Sequence, residues 1–553
     1  MSMVIMNACS TPTSDSTVPA DLVIWGGTIF TFNESDLTPE ALAARDGIIV
    51  AVGSRASIEP LVGPETEVIE LDRGLAIPGF IEAHAHFIGL GDSMIQLDLR
   101  SASSWDDIVD MVAAAAADAE PGQWIRGRGW HQDKWNEIPQ PEIEGFPVHD
   151  SLSAVSPEHP VVLTHASGHA VFVNAEAMRR AGIDASTADP PGGDLLRDAA
   201  GQPTGLLRET AEGLINEARA GDDEGSEVRR MIRLASRECL AKGITSFQDA
   251  GSSFVMIDAL RDADRDGDLG VRLWVMAMDD NDTLRSRLGE YLDKEETDNV
   301  RIGGIKRWLD GALGSRGAWL LEPYSDAPDD VGFNIVPVDD LREVAAIARE
   351  HEVQLCVHAI GDKANRVTLD VFAEFYSEAP DADLRWRIEH AQHLHPDDIS
   401  RFAELGVVAS VQPVHCTSDG PWVPERLGEQ RSYEGAYVWR ALVDSGAVLA
   451  SGTDAPVEDV DPIPNFHAAV TRQMNDGEAF YPEQALTRIE ALAAMTRDAA
   501  WAAFEEQEKG TLTVGKLADI TVLSKDILTI PAGEILETEV VYTIVGGRVA
   551  YQR

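Results

Sequence analysis

The feature that most restricts the fold of this chain is an alternation. Eight β-rich apolar runs, most ending at a polar or small residue, are separated mostly by stretches of helical periodicity. The runs are Leu75 to Ala83, Ile244 to Asp249, Val271 to Met278, Ile302 to Asp310, Val353 to His358, Leu384 to His390, Val407 to Gln412 and Val448 to Asp454. They have strand length and are mostly too short for helices. Between them, Asp339 to His351 and Pro396 to Leu405 repeat their apolar residues at helical spacing. Alternating units of this kind predict an α/β protein built on a parallel (β/α)₈ TIM-like barrel.

The ends of the chain follow a different rule. Asp21 to Gly26, Thr28 to Phe32, Gly47 to Val52 and Glu67 to Leu71 read as short strands with turn signals, the first two as partners across Gly26-Gly27. Asp519 to Leu523, Glu539 to Val545 and Arg548 to Tyr551 mirror them. The expectation is one small β-sandwich assembled from both termini, residues 20–74 and 506–553, flanking a barrel at 75–505. The stretch between the first and second runs is far longer than one helix, so a subdomain is expected there, at about 100–240. It holds the helical Trp105 to Ala117, the strand-like Val161 to Leu163 and the helical Glu227 to Lys242. Such insertions on barrel loops shape access to the active site.

Charge excludes one class of partner. With 94 Asp and Glu against 45 Lys and Arg, the formal net charge is −49. That surface repels phosphate backbones, so nucleic acid is not expected. None of the four cysteines forms a CxxC pair, and Cys239 and Cys356 lie in apolar runs. No run reaches the roughly 20 apolar residues of a membrane span. Residues 1–19 read as a disordered tether. Met6 to Cys9 before a Ser/Thr/Pro-rich stretch is similar to the end of a lipoprotein signal, whereas the apolar part before Cys9 is too short for one. Extracytoplasmic and cytoplasmic locations both stay open, as does the oligomeric state, a homodimer included.

The chemistry lies where the runs stop. His84 and His86 are spaced to share one face of an extended segment. His358, His390 and Asp454 each end a different run. Any one of these has an ordinary reading as a structural polar residue. Together they converge on one rim of a parallel barrel and make a nitrogen/oxygen cage suited to zinc or a similar divalent ion. Lys306 sits inside an apolar run, which is costly unless the amine is paired or modified. A salt bridge and a carbamylated lysine bridging two metals are the two readings. Trp130, in Gly127 to His131, is a candidate lining residue.

Six segments resemble the amidohydrolase superfamily and, within it, the amidohydrolase-3, YtcJ-like branch that includes N-substituted formamide deformylases. They are Ile77 to His86, Lys306 to Arg316 with Pro323-Tyr324, His358 to Asp362, Arg387 to Gln392, Ser451 to Pro456 and Gly515 to Asp519. The resemblance implies that His84, His86 and Asp454 hold one metal, and that His358 and His390 hold a second. Lys306 bridges the two if it is carbamylated, with occupancy by one metal also open. Asp454 then takes the proton of the attacking water and returns it to the leaving amine. The resemblance also makes His169 a candidate substrate contact, and Asp310 and Arg316 candidates to orient Lys306 or bind substrate. It implies a metal-dependent hydrolase that cleaves a C–N bond in a small molecule, an N-acyl or N-formyl amine. The alternatives are a cyclic amide or ester hydrolase, a deaminase, and a catalytically silent binding or regulatory protein.

Overall fold

Gly79 cuts the first apolar run in two. In the computed structural model, which describes residues 18–553 except 121, 220–223, 294–296 and 298, Leu75–Pro78 belongs to a terminal sheet and only Phe80–Ala85 enters the barrel as β1. The sequence predicts one strand across both, interrupted at Pro78-Gly79. Glycine is required at the break, because a Cβ at position 79 would lie 2.2 Å from Thr245 Oγ1. The expected tether and Cys9 fall almost wholly outside the described residues.

The other barrel strands are β2 (Ile244–Ser252), β3 (Arg272–Ala277), β4 (Val300–Trp308), β5 (Gln354–Ala359), β6 (Arg387–His390), β7 (Val408–Val411) and β8 (Leu449–Ser451). Each pairs in parallel with the next, in chain order, so the predicted α/β barrel is the observed one. Helices cover it outside. Val338–Glu350 buries Leu341, Val344, Ala345 and Ala348, a spacing of three and four that puts one stripe against the sheet.

The seam between β1 and β8 is closed past the end of β8. Asp454 N–H donates to His84 C=O at 2.7 Å, and His86 N–H to Ala455 C=O at 2.8 Å. Beneath them the buried Glu82 carboxyl accepts the N–H groups of His84 and Thr453, at 3.1 and 2.8 Å, and the Thr453 hydroxyl at 2.9 Å. Burial pushes Glu82 up to about 8.

Two sheets of terminal strands stack on a shared apolar cluster that includes Leu22, Ile24, Leu42, Ile69, Ile520 and Ile544. One sheet runs Ile48–Gly53, Ala41–Arg45, Leu22–Trp25, Glu67–Glu70; the other runs Thr28–Ile29, Leu75–Pro78, Ile520–Leu523, Val540–Val545, Arg548–Gln552. Leu22–Trp25 was expected to pair with the strand after Gly26-Gly27. It pairs instead with Ala41–Arg45 and Glu67–Glu70, while Gly26, at φ +89°, turns the chain into the second sheet. The segment after β1 folds around a six-stranded sheet that includes Ile125–Trp130, Val161–His165 and Pro203–Glu209. Trp105, Trp130, Leu163 and Phe172 are part of its core.

Candidate metal centre

The barrel brings the six expected residues to one rim. His84 is the penultimate residue of β1 and His86 follows that strand, so both project from the same face. Lys306 comes from β4, His358 from β5, His390 from the last position of β6, and Asp454 from the loop after β8. His84, His390 and Asp454 offer ligand atoms that all lie within 4.8 Å of one another. Asp454 Oδ1 is 3.3 Å from His86 Nε2 and 3.5 Å from His84 Nε2. The His358 ring centre is 4.4 Å from that of His390, and Lys306 Nζ is 3.4 Å from His84 Nε2.

Backbone strain accompanies this placement. His390 and Asp454 adopt φ values of 79° and 60°, uncommon for residues with a Cβ. Such conformations persist where the surroundings over-determine them, and the bond from Asp454 N–H to His84 C=O is one such constraint.

Behind the rim lies a line of charge. Glu389 accepts from His84 Nδ1 on one oxygen, and its other oxygen accepts from Arg387 Nε at 2.7 Å. Arg387 also donates to Ala83 C=O at 2.7 Å and Ser410 Oγ at 3.0 Å. Burial opposes the Glu389 carboxylate, but Arg387 and His84 outweigh it and hold the group well below the usual range. Nδ1 of His84 is thereby occupied, which leaves Nε2 to face the centre. Gln412 does the same for His390, at 2.8 Å from Nδ1. Burial holds His358 and His390 well below the ordinary imidazole range, so their nitrogens keep the lone pairs a ligand needs. Burial also lowers the Lys306 ammonium, against the pull of Glu389 and Asp454.

Two buried atoms at this rim, His358 Nε2 and Asp454 Oδ1, have no hydrogen-bond partner among the described residues. His86 stands near Asp454 Oδ1 but not in hydrogen-bond geometry. Imidazole nitrogens and a carboxylate oxygen converge without protons to share, which a divalent cation satisfies. The donor set fits such an ion.

A cavity of about 350 Å³ opens over the centre, lined among others by His86, Lys306, His358, His390 and Asp454. A smaller lobe of about 70 Å³ shares His358, His390 and Asp454 with it. His169 lines both. Burial alone would lower its imidazole, but Glu209, 2.8 Å from Nδ1, dominates and pushes it up to about 9. Asp310, Arg316 and Trp130 do not line either lobe. Asp310 is buried under the rim, 3.7 Å from His358 Nε2, and accepts the N–H groups of Trp319, Ile360 and Gly361. Arg316 pairs with Asp326 at 2.8 Å, and Trp130 donates to Leu163 C=O at 2.8 Å inside the inserted subdomain. Sequence reading passed over Glu82, Arg387 and Glu389 as site residues. The signal was present, since each is a charged residue inside a barrel strand, as Lys306 is.

Among the described residues, no helix is long and apolar enough to cross a membrane. Residues 67–551 match the Amidohydro_3 model, described as "Amidohydrolase family". The chain is 34% identical to "Protein LONG AFTER FAR-RED 3" of Arabidopsis thaliana, over 97% of this chain and 92% of that protein. It is 32% identical to "Putative amidohydrolase YtcJ" of Bacillus subtilis, over 96% and 99% of the two. It is 27% identical to "N-substituted formamide deformylase" of Arthrobacter pascens, over 96% and 98%. A solved structure of an uncharacterized metal-dependent hydrolase from Pyrococcus horikoshii superposes with a TM-score of 0.75 at 26% identity, covering 93% of this chain and 99% of that one.

Proposed function

The chain belongs to the amidohydrolase family and is a hydrolase acting on C–N bonds, and from that premise we propose that its substrate is an N-acyl or N-formyl amine. In this reading His84, His86 and Asp454 hold one divalent ion, zinc. His358 and His390 hold a second where two are bound. When bound, such an ion lowers the pKa of water toward ~7 and polarises a carbonyl.

The residues supply the rest. Asp454, anionic because His84 and His86 outweigh its burial, accepts a proton at a carboxylate oxygen and delivers it to the departing nitrogen. Glu389 and Gln412 hold His84 and His390 in the tautomers that face the centre. Lys306, its ammonium disfavoured by burial, attacks carbon dioxide through Nζ. The neutral amine would form an N–C bond to that carbon and release one proton to solvent, and the carbamate would offer its oxygens as ligands to a divalent ion beside His84.

The observation that carries the reading is the pair of buried, unpartnered atoms His358 Nε2 and Asp454 Oδ1 beneath an accessible cavity. Relatives' names add support, since one is described as an N-substituted formamide deformylase. The test combines metal analysis of protein purified without chelator with a panel of N-formyl amines, N-acyl amines, cyclic imides and amino-substituted rings. Bound zinc with amine release from the acyclic amides is expected. Ammonia release from the rings alone would shift the reading to deamination. A metal-free protein that zinc does not activate would overturn it. Labelling with ¹³C-bicarbonate and detecting a carbamate carbon that Lys306→Arg lacks tests the lysine.

A further inference from the structure

The larger lobe of the cavity looks acidic by composition, since Asp92, Glu209 and Glu212 line it. Away from the metal rim its charges are nonetheless compensated, with one exception. Asp92 is held by Arg126 at 2.6 Å and by Gln96. Glu209 is held by His169 at 2.8 Å. Glu212 is pushed up to about 8 by burial, so it stands there as a neutral acid near pH 7.

The exception is Arg128. It projects from the strand Ile125–Trp130 of the inserted subdomain into the same lobe as His86, Lys306 and Asp454. No carboxylate lies within ion-pair distance of it among the described residues. Its guanidinium makes only two long bonds, to Pro456 C=O at 3.3 Å and Ala166 C=O at 3.4 Å. A guanidinium carries five N–H donors in a planar fork, so most remain to be used. The head rests against Gly168, where a Cβ would stand 3.4 Å from Nη2 and φ is +76°. The insert and the loop after Asp454 thus grip it from two sides, aimed beside the metal rim.

We propose that Arg128 is the anchor for a carboxylate on the amine half of the substrate, so that the amides taken are short-chain N-acyl amino acids. This rests on the amide-hydrolase reading above. A fixed planar fork recognises a carboxylate by two parallel charge-assisted bonds, which a neutral amine cannot return. The smaller lobe sets the other half. It shares His358, His390 and Asp454 with the lobe that Arg128 lines, its volume is about 70 Å³, and Ala312, Leu313, Ile360 and Trp422 give it an apolar part among polar neighbours such as Lys134 and Gln392. A formyl or acetyl group matches that volume and a long acyl chain does not. The overall charge of −49 repels an anion at distance, but salt confines that field to about 8–10 Å, inside which Arg128 acts.

The experiment compares kcat/KM of the metal-loaded full chain for an N-acetyl amino acid and for the matching N-acetyl amine without a carboxylate. A preference of about 10- to 100-fold for the acid is expected in the parent. In Arg128→Gln the ratio should fall to near one, mainly through KM, with metal content and circular dichroism as in the parent. In Arg128→Lys it should recover in part. No preference in the parent, or the same ratio in Arg128→Gln, would overturn the proposal. If neither amide is cleaved, the amide reading itself fails. Calorimetric binding of the N-acetyl amino acid then decides Arg128 separately: about tenfold weakening in Arg128→Gln supports the anchor, and equal binding overturns it.

Discussion

The backbone N–H of Asp454 donates to the carbonyl of His84 at 2.7 Å, so one of the two bonds that close the barrel runs between two residues of the candidate metal centre. Closure and site assembly are one event here. Anything that opens the seam separates Asp454 from the imidazoles, and anything that pulls a cation to the rim tightens the seam.

Gly452→Ala tests that coupling. A Cβ at position 452 would meet Glu82 Oε1 at 2.2 Å, His84 N at 2.4 Å and His84 O at 2.7 Å, and backbone cannot step aside as a side chain can. The variant should lose about 1–3 kcal/mol of stability and bind less than the parent's complement of metal. Gly533→Ala, with no atom within 4 Å of its Cβ, should change neither. Thermal midpoints and metal stoichiometry of the three proteins read the result; an unaltered Gly452→Ala would refute the coupling.

Asp454→Asn keeps the shape and removes the proton acceptor. Turnover should fall by about 10²- to 10⁴-fold, with a thermal midpoint close to that of the parent. The measurement is kcat at saturating zinc, which separates lost proton transfer from weakened metal binding. A variant within a few-fold of the parent would remove Asp454 from the chemistry.

Glu389→Gln removes the acceptor charge that His84 Nδ1 and Arg387 share. Loss of such an outer partner weakens metal binding by about 10- to 100-fold, readable in a competition titration with a chelator. Arg387 is fully buried and would be left without its counter-charge, so stability should drop as well, by about 3–5 kcal/mol. Unchanged zinc affinity in a folded variant would show that the Glu389–His84 contact is structural only.

Glu212 gives the protein a pH-dependent loss of stability. Burial raises its carboxyl from the ordinary 4.5 to about 8, which means the fold favours the protonated form. Its contribution is therefore complete below 4.5 and declines as pH rises through 8, by up to ~1.4 kcal/mol per unit. Glu212→Gln stays neutral throughout. The variant's melting temperature should gain on the parent's steadily across that window, and a constant difference would contradict the assignment.

Much of this architecture could be read along the chain, and the failures are instructive. Val353 to His358 and Leu384 to His390 announced strands and the histidines near their ends, because an apolar run of strand length needs no distant partner to be recognised. The interruption at Pro78-Gly79 could be read, but not that it parts two sheets, because the strands that claim the two halves, Ile520–Leu523 and Ile244–Ser252, lie far along the chain. Ala41–Arg45 escaped too, since Ala-Leu-Ala-Ala has little strand preference and is a strand only through its neighbours on both sides.

By itself, the sequence determined the barrel and the rim: the period of its apolar runs sets the strands, and the positions of His84, His86, Lys306, His358, His390 and Asp454 within or beyond those runs put them at one end. Tertiary structure alone decided which polar groups remain available there. Asp310 is taken up by three backbone N–H groups and Arg316 by Asp326, while Arg128 keeps an open fork toward the cavity. Strand formation answers to residues a few positions away, but the compensation of a charge depends on whatever the fold places within about 4 Å, at any separation in sequence.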